Sequence, residues 1–325
     1  AFIAPIMYSN QTWGLPATLG GLVAAGVVYI LLSLVIRIWG PGFIQRLLPP
    51  VVVGPVIMVI GLGLASVAVN MAMGKAGDGS AQLVEYNTAI LIAGASLITT
   101  IIVAVYAKGI FRLVPILAGV LVGYSLSWLL GVTDFSNVAA APWLAVPQFV
   151  TPEFQLAAIL FMIPVAIAPA IEHIGDVLAI GGVTGKNYLE KPGLQNTLLG
   201  DGIATSAAAF FGGPPNTTYS EVTGAVMLTR NFNPNVMIWA AVFAIGLAFV
   251  DKFGAVLLGM PVPVMGGILC LLFGSIAVVG LNTLVRNQVD LAQARNLCIV
   301  SVTLVFGIGG MVIGNDSFSL QGISL

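Results

Sequence analysis

Charge is what this sequence has least of. Only 7% of its 325 residues are charged, against about 25% in a typical soluble chain. So little charge cannot cover a water-facing surface, which excludes a soluble globular protein. The net charge of −1 leaves no basic excess, so nucleic acid is not an expected partner. There is one histidine and there are two cysteines. No metal-ligand spacing arises from so few donors, and no cofactor is expected. Cys270 and Cys298 both fall in apolar runs and read as inert packing residues. The strand alternation of a membrane barrel is missing. An intramembrane enzyme is disfavoured by the same poverty, because one histidine makes no metal triad and neither a Ser–Lys pair nor a paired catalytic Asp on facing Gly-rich helices is apparent. A passive channel would need repeated polar lining residues, and the apolar runs do not supply them.

What is there is hydrophobic. Such residues make up 58% of the chain, in runs of the ~20-residue length that spans a bilayer as helix. The expected class is an all-α polytopic membrane protein. Spans are predicted at about 16–36, 47–73, 87–106, 113–130, 154–181, 193–211, 234–258, 261–284 and 296–313. The segment 133–153, rich in proline and aromatics, is expected along the membrane interface. The two ends of the sequence read as parts of elements, so the chain is expected to lack both ends.

Basic residues orient these spans. Alternate loops hold Arg37, Arg46, Lys108, Arg112, Lys186, Lys191, Arg230, Arg286 and Arg295, while the other set holds Lys75 and Lys252. Nine against two puts the first set in the cytoplasm by the positive-inside bias.

A degenerate repeat is also visible. Leu48-Pro49-Pro50-Val51-Val52-Val53-Gly54 resembles Met260-Pro261-Val262-Pro263-Val264-Met265-Gly266-Gly267, with Pro50 opposite Pro263 at an offset of 213. The same offset sets the Phe2–Pro5 stretch opposite the stretch around Tyr219. An odd number of crossings lies between the copies, so one half is inverted. Interrupted segments at matching places in two halves point to a transporter binding site.

Four acidic residues fall inside this apolar frame: Glu172, Asp176, Asp201 and Glu221. An ionised carboxylate at the bilayer centre costs at least ~2.5–3.5 kcal/mol. Such groups face a cavity, bind something, or carry a proton. Glu172 and Asp176 are four apart and share a helix face, so both cannot ionise easily and one becomes a proton carrier. His173 points elsewhere and reads as a packed or capping residue. Asp201 reads equally as a link between helices or as a proton relay. Glu221 begins a half-helix after Pro214-Pro215-Asn216-Thr217-Thr218-Tyr219-Ser220, with Ser220 as its N-cap. Unpaired backbone N–H groups there can meet a ring C=O while Glu221 accepts a ring N–H. A ring carrying adjacent C=O and N–H groups matches that arrangement.

On these residues the chain resembles the nucleobase–cation symporter family, also called the nucleobase–ascorbate transporters, and most nearly its bacterial uracil branch. Glu221, Gly224, Thr229 and Arg230 fit the family signature Gln/Glu/Pro-Asn-x-Gly-x4-Thr-Arg/Lys/Gly, and Val222 replaces the usual Asn. The resemblance implies fourteen spans in an inverted seven-plus-seven repeat, with two short broken strand-helix elements and with core and gate domains. Residues 1–38 and 136–259 would be core; 39–135 and 260–325 would be gate. It implies proton-coupled symport by alternating access through the inner membrane, with uracil or a related nucleobase as substrate. Membrane lipid and a homodimer are the other candidate partners. Substrate contacts would fall on Glu172, Glu221, Ser220, Tyr219 and Phe273, and proton coupling on Glu172, Asp176 and Asp201. The uracil branch of the best-known type has His at the place of Asp176. Asp176 with Asp201 is more like the purine branch, which keeps a xanthine or urate symporter as the alternative. An anion exchanger or channel of the same fold is the alternative from another class.

Overall fold

The computed structural model describes residues 2–40, 49–109, 111, 114–218, 226 and 231–309. It is mostly helical, and no strand occurs among the described residues. The helices are α1 (Ile3–Trp13), α2 (Leu15–Trp39), α3 (Pro50–Gly63), α4 (Ala65–Ala72), α5 (Tyr86–Tyr106), α6 (Pro115–Leu129), α7 (Ser136–Ala140), α8 (Leu156–Val165), α9 (Ile167–Thr184), α10 (Leu194–Phe210), α11 (Asn235–Leu247), α12 (Asp251–Leu258), α13 (Val262–Arg286) and α14 (Ala294–Ile308). Five stretches among the described residues are helical, long and apolar enough to cross a membrane: Leu15–Trp39, Pro50–Ala72, Tyr86–Tyr106, Leu156–Thr184 and Val262–Arg286. Many of their apolar side chains remain exposed, as Ile38, Tyr106 and Val285 show. Lipid is the solvent that such a surface requires. The protein is a multi-pass membrane protein.

Two expectations change. The stretch 234–258 is not one straight span: α11 and α12 meet at an angle of 89°. The turn falls immediately before Asp251 and Lys252. Running this pair on through an apolar helix would bury both charges. Instead Asp251 lies in the first turn of α12, where the helix dipole favours it. Lys252 Nζ donates to Val138 O at 2.9 Å and lies over the Trp143 ring. The second change concerns the extended pieces. Ile3–Pro5 is already helical, so Phe2–Pro5 is not a strand. Residues 214–218 have no regular secondary structure, and Tyr219–Glu221 lie outside the described residues.

The chain forms two compact units. The first comprises Ala1–Gly63, Gln148–Met227 and Ile276–Leu325. Its centre is the seam between α2 and α10. On α2, Leu19, Leu22, Gly26, Tyr29, Ser33 and Ile36 recur every three or four residues and are all buried, which is one face of a helix. Small residues let α10 approach closely. Ser33 Oγ donates to Gln195 O at 2.6 Å, and Ser206 Oγ donates to Val23 O at 3.3 Å. Phe161 and Met162 of α8 and Leu194 and Leu198 of α10 complete the core. The span holding α8 and α9 is interrupted at Ala166. Pro164 and Pro169 remove two helical N–H donors beside this break.

The second unit comprises Leu64–Pro147 and Leu228–Ser275. Here α6 packs on α5 through Gly119 and Gly123, where any Cβ would run into Thr100 and Ser96. Tyr124 donates its hydroxyl to Val256 O at 3.1 Å. Helix α5 begins at an unusual cap. The Glu85 carboxylate accepts from the Thr88 hydroxyl and from the backbone N–H groups of Asn87 and Thr88. The Thr88 hydroxyl first, and the two amides after it, hold the Glu85 pKa below its ordinary value. A depressed carboxylate stabilises the folded cap above its ordinary pKa and loses that contribution as pH falls through the folded one. The protection of the Asn87 and Thr88 amides, their exchange rates taken relative to the intrinsic rate at each pH, is therefore expected to fall on acidification. A Glu85→Gln variant should exchange faster at neutral pH and show less acid response. Equal acid response in both proteins would remove the cap from the explanation.

Candidate functional site

Helix α9 lies in the first unit and carries Glu172, His173 and Asp176. Glu172 is half-buried; His173 and Asp176 are buried. Carboxylates at positions i and i+4 stack on one helix face. Helix α10 answers with its own ladder. Thr197, Asp201 and Thr205 follow one another at four-residue spacing, so they line one face in turn.

Two rungs of the α10 ladder meet the imidazole of His173, beside the acidic face of α9. Its Nε2 lies 3.0 Å from Thr197 Oγ1, and its Nδ1 lies 3.5 Å from Asp201 Oδ2. Asp201 thus links α10 to α9 through a histidine. From α2, the buried Tyr29 brings its hydroxyl into Coulombic range of Asp201 and Glu172. Asp176 and Asp201 are in Coulombic range of each other. The first unit therefore gathers three carboxyl groups, a phenol and an imidazole from three helices.

Thr205, one turn beyond Asp201, is fully buried and donates its hydroxyl to Asn216 O at 3.0 Å. This bond anchors the chain entering the predicted half-helix against the same face of α10. The buried hydroxyls of Thr217 and Thr218 find no hydrogen-bond partner among the described residues.

Of the predicted site residues, Glu172, Asp176 and Asp201 come together here. Tyr219, Ser220 and Glu221 lie outside the described residues. Phe273 is buried on α13, in the second unit. Sequence reasoning passed over Tyr29, Thr197 and Thr205. The threonines had a legible signal, since they flank Asp201 at plus and minus four. Tyr29 had only its place on the buried stripe of α2. His173 is packed, as its position on the helix suggested. A cavity of about 370 Å³ is lined by Val177, Leu178, Gly181, Gly182, Lys186, Asn187, Tyr188 and Leu189, and none of the acidic residues lines it. Among the described residues no group of three or more His, Cys, Asp or Glu side chains could hold a metal.

Comparison with known proteins gives consistent matches. A family model described as Permease family matches residues 1–315. A probable uracil permease of Pasteurella multocida (strain Pm70) is 58% identical over 325 residues, covering 100% of this chain and 77% of that protein. The uracil permease of Bacillus caldolyticus is 44% identical over 332 residues, covering 100% of this chain and 76% of that protein. The uracil permease of Escherichia coli (strain K12) is 37% identical over 325 residues, covering 100% and 75%. Among solved structures, the transmembrane domain of a cyanobacterial bicarbonate transporter, BicA, superposes with a TM-score of 0.63 at 18% identity. That likeness covers 94% of this chain and 78% of the other, and it concerns the fold. A family model spanning nearly the whole chain, and relatives this similar along all of it, establish that the chain belongs to the Permease family, the nucleobase–ascorbate transporters, and is a transporter rather than an enzyme.

Proposed function

We propose that this chain carries uracil across the inner membrane together with a proton. The observation that supports the cargo most directly is the shared name of its relatives, uracil permeases 37–58% identical along its full length. The chemistry agrees. Uracil offers adjacent N–H and C=O groups and no charge. Glu172 and Glu221 accept ring N–H groups, the backbone at Tyr219 and Ser220 donates to a ring carbonyl, and Phe273 supplies an aromatic contact. Glu172, Asp176 and Asp201 take up and release the coupling proton, so no organic cofactor or metal is needed.

Transport follows alternating access in this reading. A core domain of residues 1–38 and 136–259 moves against a gate domain of residues 39–135 and 260–325, in an inverted seven-plus-seven repeat. Lipid surrounds it, and a homodimer is the expected assembly.

The fold shared with a bicarbonate transporter domain gives a second reading, an anion carrier. The acidic residues speak against it. Three carboxyl groups gathered in one unit repel an anion but accept hydrogen from a neutral base. Asp176 also leaves a xanthine or urate symporter as an alternative within the family.

Uptake of radiolabelled uracil into cells expressing the full-length protein is the test. Accumulation is expected to collapse on adding a protonophore, and unlabelled uracil should compete better than xanthine, urate or bicarbonate. Uptake indifferent to the protonophore would sink the coupling; stronger competition by xanthine would move the cargo to the purine branch.

A further inference from the structure

One imidazole sits between two groups a helical turn apart on α10. His173 Nε2 is 3.0 Å from Thr197 Oγ1, and Nδ1 is 3.5 Å from Asp201 Oδ2, a distance at which the two buried atoms face each other without completing a hydrogen bond. Thr197 Oγ1 is also 3.1 Å from Leu194 O. The side chains of His173 and Asp201 are only 3% and 9% exposed. Hydrogens in this site must be shared among these groups.

The Thr197 hydroxyl has a single hydrogen and two acceptors within reach, His173 Nε2 and Leu194 O. A neutral imidazole likewise has a single N–H. Two arrangements satisfy every group once the Nδ1–Oδ2 contact closes to hydrogen-bond distance. With Asp201 ionised, Nδ1–H donates to Oδ2, and bare Nε2 accepts from the Thr197 hydroxyl. With Asp201 protonated, Oδ2–H donates to Nδ1, Nε2–H donates to Thr197 Oγ1, and the hydroxyl turns to Leu194 O. Any mixture sets two bare acceptors or two hydrogens face to face in a buried site, which costs free energy.

We propose that Asp201, His173 and Thr197 form a proton relay in which the tautomer of His173 follows the charge of Asp201 and the Thr197 hydroxyl rotates to accommodate it. The steps balance. A proton arriving at Nε2 forms an N–H bond there and makes the imidazolium. The Nδ1–H bond then breaks as the Oδ2–H bond forms. The Thr197 O–H turns from His173 to Leu194 O. One proton is gained, and release is the reverse. Among the described residues Asp176 from α9 and Tyr29 from α2 lie within Coulombic range of Asp201, and Glu172 is in range of Tyr29. Their charges set the balance between the two states. Thr197 is a positioning residue in this scheme. The relay rests on the proton-coupled reading and gives the proton a defined path within it.

The test needs no substrate. The full-length protein is labelled with ring-¹⁵N histidine, placed in lipid bilayers and studied by solid-state NMR. Only one histidine falls within these 325 residues. The Nδ1–H tautomer is expected at about pH 9 and the Nε2–H tautomer at about pH 5, with the ratio changing by about tenfold or more, the equivalent of one pKa unit. Thr197→Ser keeps the hydroxyl and should keep the exchange of tautomers. Thr197→Val has a similar shape but gives Nε2–H no acceptor, so the exchange should be lost. Asp201→Asn should show the same tautomer at both values. A wild-type tautomer that ignores pH, an imidazolium as the only acid form, or a Thr197→Val spectrum like that of wild type each overturn the relay. The wild-type spectra decide alone if Thr197→Val does not fold. Because uracil is absent, failure here leaves the uracil reading standing, and failure of uracil competition leaves the relay standing.

Discussion

Glu172→Gln and Glu221→Gln are each expected to weaken uracil binding by roughly 10- to 150-fold, the loss of a hydrogen bond to a charged group at about 1.5–3 kcal/mol. The two variants should part company in transport. Glutamine keeps a carbonyl acceptor but cannot titrate. At Glu221 it should raise the uracil concentration needed while leaving uptake sensitive to a protonophore. At Glu172 it should also abolish that sensitivity, because Glu172 shares its face of α9 with Asp176 and lies in range of the same Tyr29 as Asp201. Binding can be measured by scintillation proximity on purified full-length protein, and coupling by uptake with and without the protonophore. Unchanged affinity in both variants would take these carboxylates out of the site. Retained protonophore sensitivity in Glu172→Gln would move coupling to the remaining pair.

Gly26→Val should have the largest effect on stability. A Cβ built at Gly26 meets the Ser206 side chain and lies 2.7 Å from Gly202 O and 2.8 Å from Ser206 N. Backbone cannot swing aside as a flexible side chain can. Overpacking a core commonly costs about 1–3 kcal/mol, and here the whole α2–α10 seam must part. That seam holds Tyr29 against the face bearing Asp201, so binding should fall along with the melting temperature. The control is Gly200→Ala on the same α10, where no atom lies within 4 Å of a Cβ; it should melt at or slightly above the wild-type temperature. Thermal unfolding followed by fluorescence-detected size exclusion would compare the variants. Equal melting of Gly26→Val and wild type would mean that the seam is looser than the contact at Gly26 requires.

Much of this architecture was legible beforehand because a bilayer imposes one demand everywhere. Each crossing must be apolar and about 20 residues long, so Leu15–Trp39 and Tyr86–Tyr106 could be read directly. The bend between α11 and α12 was not, although Asp251 and Lys252 stood in the run. Averaging over 25 residues hides two adjacent charges, and the partners that stop the helix, Val138 O and the Trp143 ring, come from more than 100 residues earlier in the chain. Phe2–Pro5 was read as a partner of the Tyr219 stretch from an offset alone. An offset carries no backbone angles, and Ile3–Pro5 is helical.

By itself the sequence determined that this is a helical membrane protein, that Glu172, Asp176 and Asp201 are costly where they stand, and that its signature is that of a nucleobase carrier. The first two follow from composition and local spacing, because the transfer cost of a charge depends on its residue type and its apolar neighbours along the chain; the last rests on resemblance to a known family. Only the tertiary structure decided that Asp201 meets His173, that Thr197 takes the other side of the ring, and that Tyr29 faces them from α2. Such pairings depend on how closely helices approach. For Tyr29 that distance is set by Gly26 and Gly202, whose missing side chains become informative only once α2 and α10 are seen to cross there.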